Sequence, residues 1–278
     1  MKLELRGRVL TLDRPRLMGI VNLTPDSFSD GGRFLAVEAA LAHARRLVEE
    51  GADLLDLGAE STRPGADPVP LEEERRRLFP VLEAVLSLGV PVSVDTRKPE
   101  IAEEALMLGA HMINDTSGLA DERIAEVAAR HEAPLVVMHT PDPDPRRMMD
   151  AARYLDVVAE VRAFLLKRAR RAERLGVRQV VLDPGFGFGK KREHNLVLLA
   201  RLAELAGLGY PLLVGLSRKR TIGELTGVEA PDQRVCGSVG AHLAAAQRGA
   251  RLLRVHDVAA HREALAVFWE VEAWAGSS

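Results

Sequence analysis

Residues 19–32, GIVNLTPDSFSDGG, begin as an apolar run and stop abruptly in Asn22, Thr24, Asp26, Ser27, Ser29 and Asp30. A strand that opens into a loop of amide, carboxylate and hydroxyl oxygens reads as a ligand-binding segment. The pattern recurs along the chain. Seven later apolar runs end at or just before Thr62 and Arg63, Asp95, Asn114 and Asp115, His139, Asp183, Lys219, and lastly Arg254, His256 and Asp257. For one aspartate at one strand end, capping the next helix is the plainer explanation. Eight strand ends in succession imply one shared site. Its carboxylates suit a ligand edge rich in N–H donors, and its arginines suit phosphate oxygens.

The elements that must position these groups follow from periodicity. Strands are predicted at 17–23, 53–57, 90–94, 111–114, 135–138, 179–182, 211–215 and 251–255. Most are continuously apolar, as parallel strands covered on both faces should be. Helical patterns cover 36–50, 71–88, 99–108, 155–175, 194–205, 235–248 and 258–274, and most run into a glycine that stops them. Eight alternating units in about 250 residues predict an α/β fold, a (β/α)8 TIM barrel, with chemistry at the C-terminal strand ends. The first dozen residues read as an N-terminal β-hairpin capping the barrel's bottom. An open doubly wound sheet is the structural runner-up. No linker-like stretch divides residues 1–278, so a single domain is expected.

Bulk properties narrow the class of function. Of 278 residues, 47% are hydrophobic, ample for a continuous core. A net charge of -2 argues against nucleic acid or an anionic membrane as the main partner. No apolar run reaches the roughly 20 residues of a membrane span. The first fifteen residues alternate charged and apolar types, unlike the core of a signal peptide. A lone Cys236 excludes an internal disulfide framework and a cysteine metal cluster. A soluble cytoplasmic protein is expected.

Taken in order, GIVNLTPDSFSDGG, AESTRPG, SVDTRK, INDTSG, VMH, DPGFGFGK, GLSRKR and RVHD span about residues 14 to 257. This set resembles the dihydropteroate synthase family of pterin-binding barrels. The resemblance implies a transferase of folate biosynthesis, joining a dihydropterin pyrophosphate to para-aminobenzoate with loss of pyrophosphate. An arylamine is already neutral at pH 7, so no strong general base is required. The enzyme's work is pterin recognition, stabilisation of the leaving group and exclusion of water.

By this resemblance Asp183 faces the amino-pyrimidine edge of the pterin, where a carboxylate can accept paired N–H groups. Lys219 donates to the ring carbonyl, Asp95 and Asn114 complete the edge, and Met138 packs on the ring. Arg254 and His256, in alternate positions of the last strand, meet the pyrophosphate with Asn22, Thr62 and Arg63. Asp95, Lys219, Arg254 and His256 are the expected catalytic groups. Asn22, joined by Asp30, would hold a Mg2+ shared with the pyrophosphate. Phe28, Pro64, Phe188, Lys219 and Arg220 are the expected aminobenzoate contacts, with loops 24–33 and 61–70 closing over the site. A homodimer through the last helices is also implied.

Each assignment has a plainer alternative. Asp95 and Asp183 would otherwise cap helices or pair with Arg97 and Lys190, and His256 would hold a backbone group. His139 is assigned no role. In DPGFGFGK, Gly189 and Lys190 are followed by Lys191, so the nucleotide P-loop spacing is absent. Its glycines are expected to let the backbone pass close to the bound ring. Two positions depart from the family: Arg220 stands where a serine is common, and Thr140-Pro141-Asp142 follow His139 where MHMQG is frequent. A pterin-binding methyltransferase barrel would not need Arg63 and Arg254. A silent pterin-binding paralogue would be free to lose Asn22, Arg254 or His256, and all three are present.

Overall fold

The computed structural model describes residues 1–23 and 32–275. Strands β1 (Lys2–Glu4) and β2 (Val9–Thr11) form an antiparallel hairpin. Eight parallel strands follow: β3 (Arg16–Asn22), β4 (Leu54–Gly58), β5 (Val92–Asp95), β6 (Met112–Asp115), β7 (Leu135–Met138), β8 (Val180–Asp183), β9 (Leu212–Val214) and β10 (Ala250–Val255). They close into a barrel as β10 pairs with β3. Every predicted strand is present to within a residue or two.

The helices are α1 (Gly32–Glu49), α2 (Leu71–Leu86), α3 (Pro99–Leu108), α4 (Arg123–Arg130), α5 (Val157–Arg174), α6 (Arg192–Ala200), α7 (Ala203–Ala206), α8 (Arg220–Thr226), α9 (Val235–Gln247) and α10 (Val258–Ala275). The expected helix at 194–205 is interrupted at Arg201, with Leu198, Leu202 and Leu205 buried on both sides of the break. Helices α4 and α8 were not predicted. About two turns give too few periodic repeats to stand out. Among the described residues no helix is long and apolar enough to cross a membrane.

Because both faces of the sheet are covered, each strand sorts its side chains into an outer and an inner set. Leu17, Val21, Leu55, Val94, Ile113, Val137, Leu182, Val214 and Val255 face outward into the helix layer. Met18, Leu54, Met112, Val136, Val181, Leu213 and Leu252 fill the lower interior, and Leu3, Leu5 and Leu12 of the hairpin seal them from below. Each such leucine contributes on the order of 1.5–3 kcal/mol by leaving water. Arg6 pins the plug: it donates to the carbonyls of Leu106 (2.7 Å), Ala110 (2.5 Å) and His131 (3.1 Å) at the ends of α3 and α4. Above this apolar layer the interior turns polar.

Candidate active site

The polar layer is set by register. Asn22 lies opposite Gly58, Gly58 opposite Asp95, and Asp95 opposite Asn114, while Met138 faces Asp183 further round. Arg254 reaches in from β10, donating through Nε to Asp56 Oδ2 (2.6 Å) and through Nη2 to Asp95 Oδ2 (3.2 Å). Asn114 Nδ2 donates to the same Asp56 oxygen (3.1 Å). Asp56 Oδ1, Asn114 Oδ1 and Ser93 Oγ are buried and meet no hydrogen-bond partner among the described residues. Buried acceptors of this kind are costly unless something donates to them.

Asp56 is the residue that sequence reasoning missed. It lies inside the apolar run LLDLG rather than at a strand end, and it is fully buried. A charged residue within a buried strand was the available signal. Burial pushes the neighbouring Asp95 carboxyl up to about 8, against the downward pull of Arg254 and with the charge of Asp56 adding to the rise. Burial likewise raises Asp183, which Lys219 partly offsets.

The segment after β8 wraps around two lysines. Asp183 Oδ1 accepts from Gly185 N (2.7 Å). Lys190 is buried beneath the turn, donating to Gly185 O (2.9 Å), Phe188 O (3.1 Å) and His139 Nδ1 (2.9 Å). Burial lowers Lys190 to about 7. His139 is thus an acceptor that helps to anchor the turn. Lys219 Nζ donates to Phe186 O and lies 4.6 Å from the centre of the Phe188 ring, an arrangement of cation on aromatic face. Burial lowers it to about 8, with Asp183 opposing. The glycines also meet a demand of the protein itself. A side chain on Gly185 would collide with the His139 carbonyl, and its φ of 67° already disfavours one. Gly187 passes over the Lys219 stem.

At the rim, His256 lies just beyond β10, with Nδ1 3.0 Å from Ser217 Oγ, and its own N donates to that oxygen (3.2 Å). Burial, then Arg254 and Arg218, lower its pKa to about 3. Arg63 is near enough to add to that effect. Asn22 ends β3, exposed at the mouth. Thr62 is half-buried, whereas Arg63 and Pro64 are exposed on a loop tied by Gly65 N donating to Pro145 O (3.0 Å). Below that loop Glu60 and Glu74 are buried carboxylates bridged by Lys98, and Arg97 joins Glu60 to Pro143 O (3.0 Å). Arg97 therefore braces loops and does not pair with Asp95.

Arg220 is a correction. It opens α8 pointing outward, its side chain 90% exposed, and pairs with Glu224 one turn on (2.7 Å). The structure does not bring this side chain to the cluster. Phe28 and Asp30 lie outside the described residues. Among the described residues no group of three metal-ligating His, Cys, Asp or Glu side chains occurs.

The histidine environments have a measurable consequence. His139, pushed down to about 2, and His256 bind a proton only on unfolding. Each contributes stability that is complete above the unfolded value of 6.5 and lost as pH falls toward the folded one. Asp95 acts in the opposite sense. Its contribution is complete below 3.8 and lost as pH rises through about 8. Both histidine rings are expected to keep neutral NMR signatures from about pH 8 to about pH 5. A midpoint near the ordinary histidine value for either ring would contradict its burial.

Residues 18–256 match the family described as pterin binding enzyme. A dihydropteroate synthase of Neisseria meningitidis serogroup B is 51% identical over 267 residues, covering 93% of each chain. The crystal structure of the Thermus thermophilus dihydropteroate synthase in complex with 4-aminobenzoate superposes with a TM-score of 0.89 at 66% identity, covering 97% of this chain and 99% of that one. The Xanthomonas albilineans dihydropteroate synthase in complex with 7,8-dihydropteroate gives 0.89 at 54% identity, covering 98% and 99%. A polar belt of strand-end carboxylates, amide and cations above a sealed barrel floor, together with these matches along nearly the whole chain, places the protein in the dihydropteroate synthase family of pterin-binding enzymes.

Proposed function

We propose that the chain condenses 6-hydroxymethyl-7,8-dihydropterin pyrophosphate with para-aminobenzoate to give 7,8-dihydropteroate and pyrophosphate. The observation that carries this reading is the buried set of acceptors on Asp56, Asn114, Asp95 and Asp183, flanked by Lys219 and Arg254. A flat ring with several N–H groups along one edge and a carbonyl along the other matches that set. Asp183 and Asn114 accept from the amino-pyrimidine edge, Lys219 donates to the ring carbonyl, and Met138 packs on the ring face.

The chemistry is substitution at the pterin methylene. Its C–O bond to pyrophosphate breaks, the arylamine nitrogen forms a C–N bond to the same carbon, and that nitrogen releases one proton. The residues assist by holding opposite charges where they develop. Arg254, fixed by Asp56 and Asp95, faces the departing oxygens as an oriented cation. His256 stays neutral. Ser217 Oγ, already accepting from His256 N, donates its O–H in a hydrogen bond to the bare Nδ1, so the neutral ring carries its proton on Nε2 as a donor toward the pyrophosphate. Thr62, Arg63 and Pro64 close over the leaving group, and Phe188 flanks the aminobenzoate ring. Its carboxylate is met from the start of α8 by groups other than the Arg220 side chain.

A Mg2+ fits this rim, since Asn22 stands exposed at the end of β3 and carries an amide oxygen, and a metal on pyrophosphate retains most of its waters. When bound, it would neutralise leaving-group charge. We also infer a homodimer. Val267, Val271 and Trp274 form one exposed apolar stripe on α10 that a second copy would cover. Sedimentation of the protein and of Val267→Glu tests this, with a parent at twice the chain mass and a monomeric variant expected. A monomeric parent overturns it.

The deciding assay mixes the protein, dihydropterin pyrophosphate, para-aminobenzoate and Mg2+, and follows both products. Equal yields of pyrophosphate and dihydropteroate are expected. Pterin binding with neither product would overturn the catalytic reading.

A further inference from the structure

Two buried histidines take no part in the chemistry above. His242 on α9 and His261 on α10 are both sealed from solvent. His242 Nδ1 lies 2.9 Å from His261 Nε2, and His261 Nδ1 lies 2.7 Å from Asp257 O. At the other end Leu216 N donates to His242 Nε2 (3.1 Å). Backbone groups at both ends settle the tautomers. An amide can only donate, so His242 Nε2 is bare and its proton sits on Nδ1. A carbonyl can only accept, so the His261 proton sits on its Nδ1. The result is a one-way chain of hydrogen bonds from Leu216 through two neutral rings to Asp257.

The position of this chain gives it a purpose. Leu216 begins the loop that carries Ser217, Arg218 and Lys219. Arg234 at the N-cap of α9, with Ser238 and His242 at successive steps of four along the helix, hold that loop by its backbone. Arg234 Nη1 donates to Arg218 O (3.0 Å), and Arg218 N donates to Ser238 Oγ (2.9 Å). Arg218 has a φ of 59°, a conformation unfavourable for a residue with a side chain. Its guanidinium is held by the Asp257 carboxylate, with Nε 3.0 Å from Oδ2. Thus the two histidines, carried by α9 and α10, join the same two loops that Arg218 and Asp257 join.

We propose that His242 and His261 form a positioning unit for Lys219, supplying the acceptor that fixes Leu216 and thereby the lysine three residues on. An apolar pair of equal volume would fill the same space but leave the Leu216 amide without a partner. The groups facing the pair are Lys219 and the backbone of Val214 and Ser238 around His242, and Asp257 and the Ser238 backbone around His261. The link from positioning to pterin affinity rests on the role given to Lys219 above; the link to Lys219 itself does not.

The test compares His242→Leu with His242→Gln, whose amide can accept from Leu216 and donate to His261. Dihydropterin pyrophosphate affinity is expected to fall about tenfold in the leucine variant and to return within about threefold in the glutamine variant. The titration of Lys219, followed by pH-dependent competitive acetylation and mass spectrometry, is expected to move from about 8 toward the ordinary 10.5 in His242→Leu alone. If that variant fails to fold, His261→Leu, which frees the His242 ring to turn, is expected to show the same two changes. A folded leucine variant with the parent's Lys219 titration overturns the proposal, as does a glutamine variant as impaired as leucine. Lys219→Met with unchanged pterin affinity would instead overturn the role given to Lys219.

Discussion

Arg254→Ala is expected to lower kcat/KM by about 1000-fold, the scale on which a preorganised donor to a developing anion acts. The same change should destabilise the apoenzyme by about 3–5 kcal/mol, because it strips the counter-charge from buried carboxylates. Asp56 Oδ2 would keep only Asn114 as a donor, and Asp95 Oδ2 would lose its guanidinium. Asp95 already holds its proton to about pH 8. Without Arg254 its carboxyl would hold the proton to still higher pH, so the loss of stability should widen between about pH 6 and pH 9. Thermal unfolding at both ends of that range, beside steady-state kinetics, checks the two effects separately. Unchanged kcat/KM would remove Arg254 from the leaving-group site. A stability deficit that narrows with rising pH would refute the carboxylate argument.

The second large effect is at Asp183. Asp183→Asn keeps the shape of the side chain but replaces a charged acceptor with an amide whose NH2 can face the pterin's own donors. A charge-assisted contact is worth about 1.5–3 kcal/mol, so pterin affinity should fall by about 10- to 150-fold. Asp183 also helps to keep Lys219 protonated, so Lys219 should titrate lower in the variant. Calorimetric titration with the dihydropterin pyrophosphate reads the first effect. Affinity within about threefold of the parent would place the amino-pyrimidine edge elsewhere.

The barrel was legible because its strands are buried on both faces and its helices mostly end at glycine, so the repeat is plain in composition alone. The strand-end groups were legible for the same reason, since polarity contrasts with the runs before it. What the sequence concealed was contact across the barrel. Asp56 stands among leucines in a run that reads as packing, and only closure brings it to Arg254, 198 residues away. Arg220 misled in the opposite way. It adjoins Lys219 in the motif, but the chain enters α8 there and turns consecutive side chains to different sides. The glycines of DPGFGFGK suggest room for a ligand, and the structure adds a demand that the sequence does not show, since a side chain on Gly185 would meet the His139 carbonyl. Lys190 could be seen as a charge, but not as the donor that gathers the carbonyls of that turn.

The leucine plug has a consequence for how the chain is made. Its residues leave the ribosome long before their partners: Glu4 N donates to Gln179 Oε1, 175 positions later, and Arg6 waits for carbonyls 100 to 125 positions away. At a synthesis rate of about 5–20 residues per second, the hairpin spends roughly 10 to 35 s without its final neighbours. Three leucines must stay out of trouble for that time. Closing the floor therefore waits for the second half of the chain, and until then the hairpin's apolar face lacks the neighbours that finally cover it.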